Sequence, residues 1–278
     1  MEVTARNHEK SISIHKGEPI FGVFREFRRD ALTFLEHSWH RYGDHFVTKF
    51  GPLPLHVISN PQLAQEALTV RKHILRRSQR FEGGTPLTYI LGLSLITIDG
   101  DSWLMKRRMM QPVFHRSNIV AMGDKMQAAG EAMLRRWSQL PPDKMVDLTK
   151  EMKLVTLDII NRTMFSTDVL LEVDQVGGVV DSALDFIAAR AGNPLALPAR
   201  WTIIPSHKKF WDQRAKLDEY LFRMIRERRA ALAQGERKND LLEMLIEAQD
   251  ADTGERMNDQ QVRDEVSGIY GAGHETTA

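Results

Sequence analysis

The sequence predicts a mainly helical protein with a small sheet near its N-terminus, and three observations carry that expectation. Apolar residues recur at threes and fours over much of the 278-residue chain, helix-start signatures precede several of those runs, and one stretch, residues 46–58, reads as paired strands. An apolar content of 42% is an ordinary globular mixture, enough for a sizeable core. The 38 Lys and Arg balance 37 Asp and Glu, so the net charge of +1 gives no overall attraction to nucleic acid or to an acidic partner. No apolar run approaches the roughly 18 residues a spanning helix requires, and residues 1–16, MEVTARNHEKSISIHK, read as a polar tail rather than a signal peptide. A cytoplasmic protein without a membrane anchor is expected. The absence of cysteine excludes disulfides and thiolate metal sites within these 278 residues.

In chain order, FVTKFGPLPLHVI at 46–58 is interrupted by Gly51 and Pro52, which predicts a short hairpin. Asn60 before Pro61 is a cap and first-turn pair for a helix carrying Leu63, Ala67 and Val70. Loops rich in Gly and Pro are expected at 82–100 and 192–205. Between them, Ile119, Met122, Met126, Ala129, Met133 and Trp137 mark one buried helical face, ended by Pro141 and Pro142. A further helix is predicted over 147–165, and another from Phe210 through Leu217, Leu221, Met224 and Ile225 to the charged run at 227–229. Asp240 with Glu243, and Asn258 with Gln261, are helix-start pairs ahead of LLEMLIEA and of Val262, Val266 and Ile269. No linker or repeat interrupts the pattern, so residues 17–278 read as a portion of one domain.

The last helix carries Gly268, Gly271 and Gly273, each costing about 0.8 to 1.0 kcal/mol relative to Ala. Something must approach that backbone closely: a flat ligand, or another helix crossing through small residues. Ile269, Ala272 and Thr276 share one face at spacings of three and four, and the Thr276 hydroxyl is placed to bond back to the Ala272 carbonyl. Glu275 stands beside it as a proton donor. Upstream, in DGDSWLMKRRMMQPVFH, Trp103 and Arg107 lie four apart, so an indole and a guanidinium donor leave one helix face. Lys106 and Arg108 flank them, which suits an anionic ligand or, equally, a solvated basic turn with a core Trp. Pro112 limits that helix, and Phe114 is expected to pack.

Rival chemistries fail on particular residues. His274 and Glu275 open the zinc-protease pattern H-E-x-x-H, but Ala278 does not close it. Gly92 and Ser94 begin a nucleophile elbow, and Ile96 stands where its last Gly is needed. No phosphate-binding or dinucleotide fingerprint appears. His37 and His40 are the nearest histidine pair to metal-ligand spacing, and a solvated helix face accounts for them, so no metal site is assigned.

AGHETTA at 272–278, with RDEVSGIYG before it, resembles the oxygen-binding helix of cytochrome P-450 enzymes, and DGDSWLMKRRMMQPVFH resembles the family's helix that grips the heme propionates. The segments RYGDHFVTKFG, LGLSLITIDG, TLDIINRTMF and FWDQRAKLDEYLFRMIRERR agree with it in family order, so the resemblance extends from about Gly17 onward. It implies a cytochrome P-450 fold, incomplete at its C-terminus, in a heme monooxygenase. Its partners would be a small organic substrate, O2 and an electron donor: a ferredoxin, a flavodoxin or a flavoprotein reductase. Trp103 and Arg107 then bind heme propionates, Ala272 and Gly273 lie against the heme, and Thr276 and Glu275 organise water and relay protons. Substrate contacts are expected from 81–96, from 186–205, and from Ile269 and Ala272.

The departures are as specific. The family's axial Cys, in a loop well beyond this helix, is absent, as is its Glu-x-x-Arg helix, since Glu26 with Arg29 is too near the N-terminus. Ser94 replaces a usual Gly. The pattern stops at Ala278 without a helix-end signal, so truncation is expected, and with it inactivity of these 278 residues alone. The alternatives are a non-enzymatic heme- or ligand-binding remnant and a partial gene product.

Overall fold

The computed structural model describes residues 12–70, 87–166, 185–186 and 201–278, but not the side chains of His274 and Glu275. The chain divides into two compact units, Met1–Arg76 with Ala189–Pro198, and Arg77–Ala188 with Ala199–Ala278.

The first unit holds the predicted sheet. Strand β2 (His45–Phe50) runs antiparallel to β3 (Leu53–Ile58) and parallel to a short β1 (Ser13–Ile14), in the order β1-β2-β3. Gly51 and Pro52 make the turn, with Gly51 at φ +57°, where a side chain would strain the backbone. β1 falls in the stretch read as a polar tail, of which residues 1–11 lie outside the described residues. Helix α1 (Phe24–Arg29) leads to α2 (Ala31–Tyr42), whose N-cap Asp30 accepts from the Thr33 N–H at 3.0 Å. Val23 and Phe46 are fully buried. Helix α3 (Pro61–Gln65) starts as predicted, Asn60 accepting from the Leu63 N–H at 3.0 Å, and continues as a π-helical turn to Val70. Leu63 and Val70 stay exposed, so the expected apolar face of that helix is not buried among the described residues.

The described residues of the second unit form helices joined by turns, with an isolated bridge between Gln249 and Arg256. Its helices are α4 (Thr88–Leu91), α5 (Gly100–Met110), α6 (Arg116–Ala121), α7 (Gly123–Ser138), α8 (Leu148–Ile160), α9 (Pro205–Ala233), α10 (Leu241–Glu247) and α11 (Asp259–Glu275). Two expectations need correction. The stretch 82–100, read as loop, contains α4, and its residues 82–86 lie outside the described ones, as do 192–200 of the second loop. The single helix expected from Ile119 breaks at Met122, because Gly123 follows it and is a poor helix former, while Met122 itself stays in the core at the joint. α7 then ends at Ser138, before the two prolines.

The core is built from one stripe of each long helix. Leu157 of α8, Leu221 and Ile225 of α9, Leu242 and Leu245 of α10, and Val262, Val266 and Tyr270 of α11 form one cluster. Each fully buried aliphatic side chain contributes about 1.5 to 3 kcal/mol relative to exposure. α11 opens with a full capping box: Asn258 accepts from the Gln261 N–H at 2.9 Å, and the Gln261 side chain accepts from the Asn258 N–H at 2.9 Å. Its stripe at 262, 266 and 270 seats it against α8 and α9, which fixes where its glycine-rich end emerges.

Candidate functional site

The site is built on α5 and α11, which the Lys106–Glu265 pair joins in the second unit. In α5 the spacing of Trp103 and Arg107 puts both on one side, with Trp103 half-buried and Arg107 exposed. Neither the indole N–H nor the guanidinium makes a hydrogen bond among the described residues. Three and four positions apart on the inner side, Lys106, Met109 and Met110 are buried.

The two cations expected to help with an anion do otherwise. The Lys106 ammonium donates to a Glu265 carboxylate oxygen at 2.8 Å and to the Leu93 carbonyl. Arg108 pairs with Asp250 at 3.1 Å and with Asp252 at 3.0 Å. Among the described residues the basic cluster therefore resolves into Arg107, which has no partner, and two cations that hold the fold. Phe114, expected to pack, is 44% exposed; the 3-10 turn Gln111–Phe114 buries Val113 in its place.

At the end of α11, Ala272 and Thr276 are exposed and Ile269 is half-buried. The Thr276 hydroxyl donates to the Ala272 carbonyl at 2.5 Å, the back-bond its spacing predicts. The glycines face protein. A Cβ added at Gly268 would lie 3.0 Å from the Ser94 Cβ, one at Gly271 3.4 Å from a Leu91 methyl, and one at Gly273 3.1 Å from the Ile160 Cδ1. Small residues here let α4, the turn after it and α8 approach the helix, while Ala272, between them, leaves the open side. Glu275 lies in the last turn of α11, and its side chain lies outside the described residues.

Sequence periodicity missed a buried charged network that joins these parts. Asp264 accepts from the Leu93 N–H at 2.9 Å, and Glu265 accepts from the Leu95 N–H at 3.0 Å, so two adjacent carboxylates of α11 hold the turn after α4. Gly92, at φ +60°, completes the fit, because a Cβ there would fall on the Asp264 carboxylate. Arg263, fully buried, pairs with Asp218 of α9 and, at 3.1 Å, with Asp264. Burial pushes the Glu265 carboxyl above its ordinary pKa, with the Lys106 charge and the Leu95 N–H opposing. Three consecutive charges between the buried Val262 and Val266 were the available signal, since they cannot all face water on a helix buried along that stripe. Among the described residues no group of three or more His, Cys, Asp or Glu is placed to hold a metal ion, and no helix is long and apolar enough to cross a membrane.

A sequence model of the family described as Cytochrome P450 matches residues 15–278. The chain is 30% identical to cyclooctatin synthase of Streptomyces melanosporofaciens, in an alignment covering 99% of this chain and 58% of that protein. It is 28% identical to cyclooctat-9-en-7-ol 5-monooxygenase of the same organism, over 94% of this chain and 54% of the relative. Pentalenene oxygenase of Streptomyces avermitilis is 26% identical, over 94% and 55%. The chain thus spans about half the length of the curated relatives it matches.

Proposed function

The chain belongs to the cytochrome P450 family, and on that premise we propose that the full-length protein is a heme-dependent monooxygenase acting on a small organic substrate. The observation that carries the proposal is a pair of donors on α5 with no partner among the described residues: an indole N–H and a guanidinium one helical turn apart, beside Lys106 and Arg108, which are engaged elsewhere. That donor set fits two carboxylates held side by side, as the heme propionates are, since Arg and Trp donate but do not accept. Bound there, heme would activate O2 so that one oxygen atom enters a carbon–hydrogen bond and the other leaves as water. Electrons would come from a ferredoxin, a flavodoxin or a flavoprotein reductase. These 278 residues contain no Cys, so none of them would supply a thiolate to the iron.

The end of α11 supplies the remaining parts. With its proton committed to the Ala272 carbonyl, the Thr276 oxygen keeps its lone pairs to accept from a water, which would leave that water's second proton available to the site. Glu275 follows as the carboxyl that replenishes the proton. Ala272, on the open side of the helix, leaves room for a flat group, while Gly273 beside it packs against Ile160. Ile269 offers an apolar contact to substrate, and further contacts are expected at 81–96 and 186–205, of which 81–86 and 187–200 lie outside the described residues. The relatives named for pentalenene and cyclooctat-9-en-7-ol make compounds of that kind the first substrates to assay.

Thr276→Ala in the full-length protein tests the proton role, because it keeps the helix and removes only the hydroxyl. Heme and substrate binding should survive, while reducing equivalents pass to peroxide in place of product. An unchanged yield of product per reducing equivalent would remove Thr276 from the mechanism.

A further inference from the structure

Lys106 precedes Arg107 by one residue and uses its charge in the opposite way. Its side chain is 6% exposed and that of its partner Glu265 is 1% exposed. The ammonium reaches Glu265 and the Leu93 carbonyl, and the second Glu265 oxygen takes the Leu95 N–H. Asp264 takes the Leu93 N–H beside it, so the turn at 93–95 is stitched to α11 on both sides and α5 is stitched to both.

An apolar pair of similar volume would serve stability here as well or better, because desolvating two charges offsets most of their attraction. What an ion pair with satisfied hydrogen bonds adds is direction. Apolar contacts such as those of Met109 and Met110 set how deep α5 lies but tolerate rotation of the helix about its axis. A pinned Lys106 does not tolerate it. Successive residues leave an α-helix about 100° apart, so pinning Lys106 to α11 fixes the direction of Arg107, and of Trp103 one turn earlier. We infer that Lys106 and Glu265 are positioning residues for the propionate grip, holding α5 at one rotation against the helix that bears Ala272 and Thr276. This rests on the propionate role proposed above for Trp103 and Arg107.

The test is the rate at which full-length holoprotein loses heme to an excess of apomyoglobin, with melting temperature and the width of the main heme absorption band measured alongside. The double variant Lys106→Met/Glu265→Gln removes both charges and keeps an acceptor for the Leu95 N–H, so it should fold. It should lose heme faster by about tenfold, the scale at which groups that orient a ligand act, with a broadened heme band. Ile225→Val, which thins the same core away from this pair, is the control for general loosening. Arg107→Ala is the reference for the grip itself. Faster loss in Arg107→Ala and in the double variant, beyond that of Ile225→Val at equal loss of melting temperature, supports the inference. Loss in the double variant no faster than in that control, while Arg107→Ala sheds heme, overturns it and leaves the propionate reading standing. Wild-type retention in Arg107→Ala overturns the propionate reading and this inference with it.

Discussion

Glu243 shows what one buried carboxylate does in this fold. Burial works against its charge, but the N–H groups of Lys238 at 2.7 Å and Asn239 at 3.2 Å, together with the Arg237 guanidinium, more than offset that, so its pKa is held below the ordinary 4.5. A depressed folded-state pKa means that the unfolded chain takes up the proton first as pH falls. The stabilisation is therefore present above pH 4.5 and is lost as pH drops through the lower folded-state value. Wild type should melt above Glu243→Gln at neutral pH, and the gap should close in acid; a gap that stays constant down to low pH would contradict this. At this scale the sequence was informative where geometry follows from spacing alone: Trp103 and Arg107 share one side of α5, and the Thr276 hydroxyl bonds back to the Ala272 carbonyl. It was uninformative for Lys106, Arg263, Asp264 and Glu265. Hydrophobic periodicity assigns every charge to water, and each of these four takes at least one partner from a segment over 40 residues away.

Helix starts were legible because a cap is a local event. Asn60, Asp240 and Asn258 each accept from the N–H three residues on, as their positions predict. The caps are unequal in consequence. Asn258 is exposed at its capping box, so Asn258→Ala should cost about 1 kcal/mol. Asp240 is fully buried and also holds the buried Arg228, so Asp240→Ala strands a charge and should cost about 3 to 5 kcal/mol. Urea unfolding of the two variants in parallel checks the order, and equal losses would show that the Arg228 pair contributes nothing. Helix ends and breaks were less legible. A pattern of threes and fours runs through both the joint at Met122 and the π-helical turn over Asn161–Phe165, so periodicity marks neither. The same holds for α4, four residues long, whose apolar side chains gave too short a run to distinguish helix from loop.

Across the whole molecule, the two motifs that carry the family resemblance lie about 170 residues apart in sequence and meet through Lys106, Glu265 and the 93–95 turn in the second unit. Both motifs were readable before any coordinates; the link between them was not, because it is made by side chains whose pairing only the tertiary fold specifies. Whether the outer face of α5 grips heme is read from heme retention in the full-length protein, comparing Arg107→Ala with Arg116→Ala, an exposed arginine on the next helix. Arg108→Ala would be a poor control, since Arg108 is held by Asp250 and Asp252. Losing one charge-assisted hydrogen bond at about 1.5 to 3 kcal/mol weakens retention by roughly tenfold to a hundredfold, whereas losing a solvated arginine costs about 0 to 1 kcal/mol of stability and touches no ligand. Heme loss from Arg107→Ala should accelerate on that scale and from Arg116→Ala should stay unchanged; equal retention in the two variants would mean that α5 does not grip the propionates.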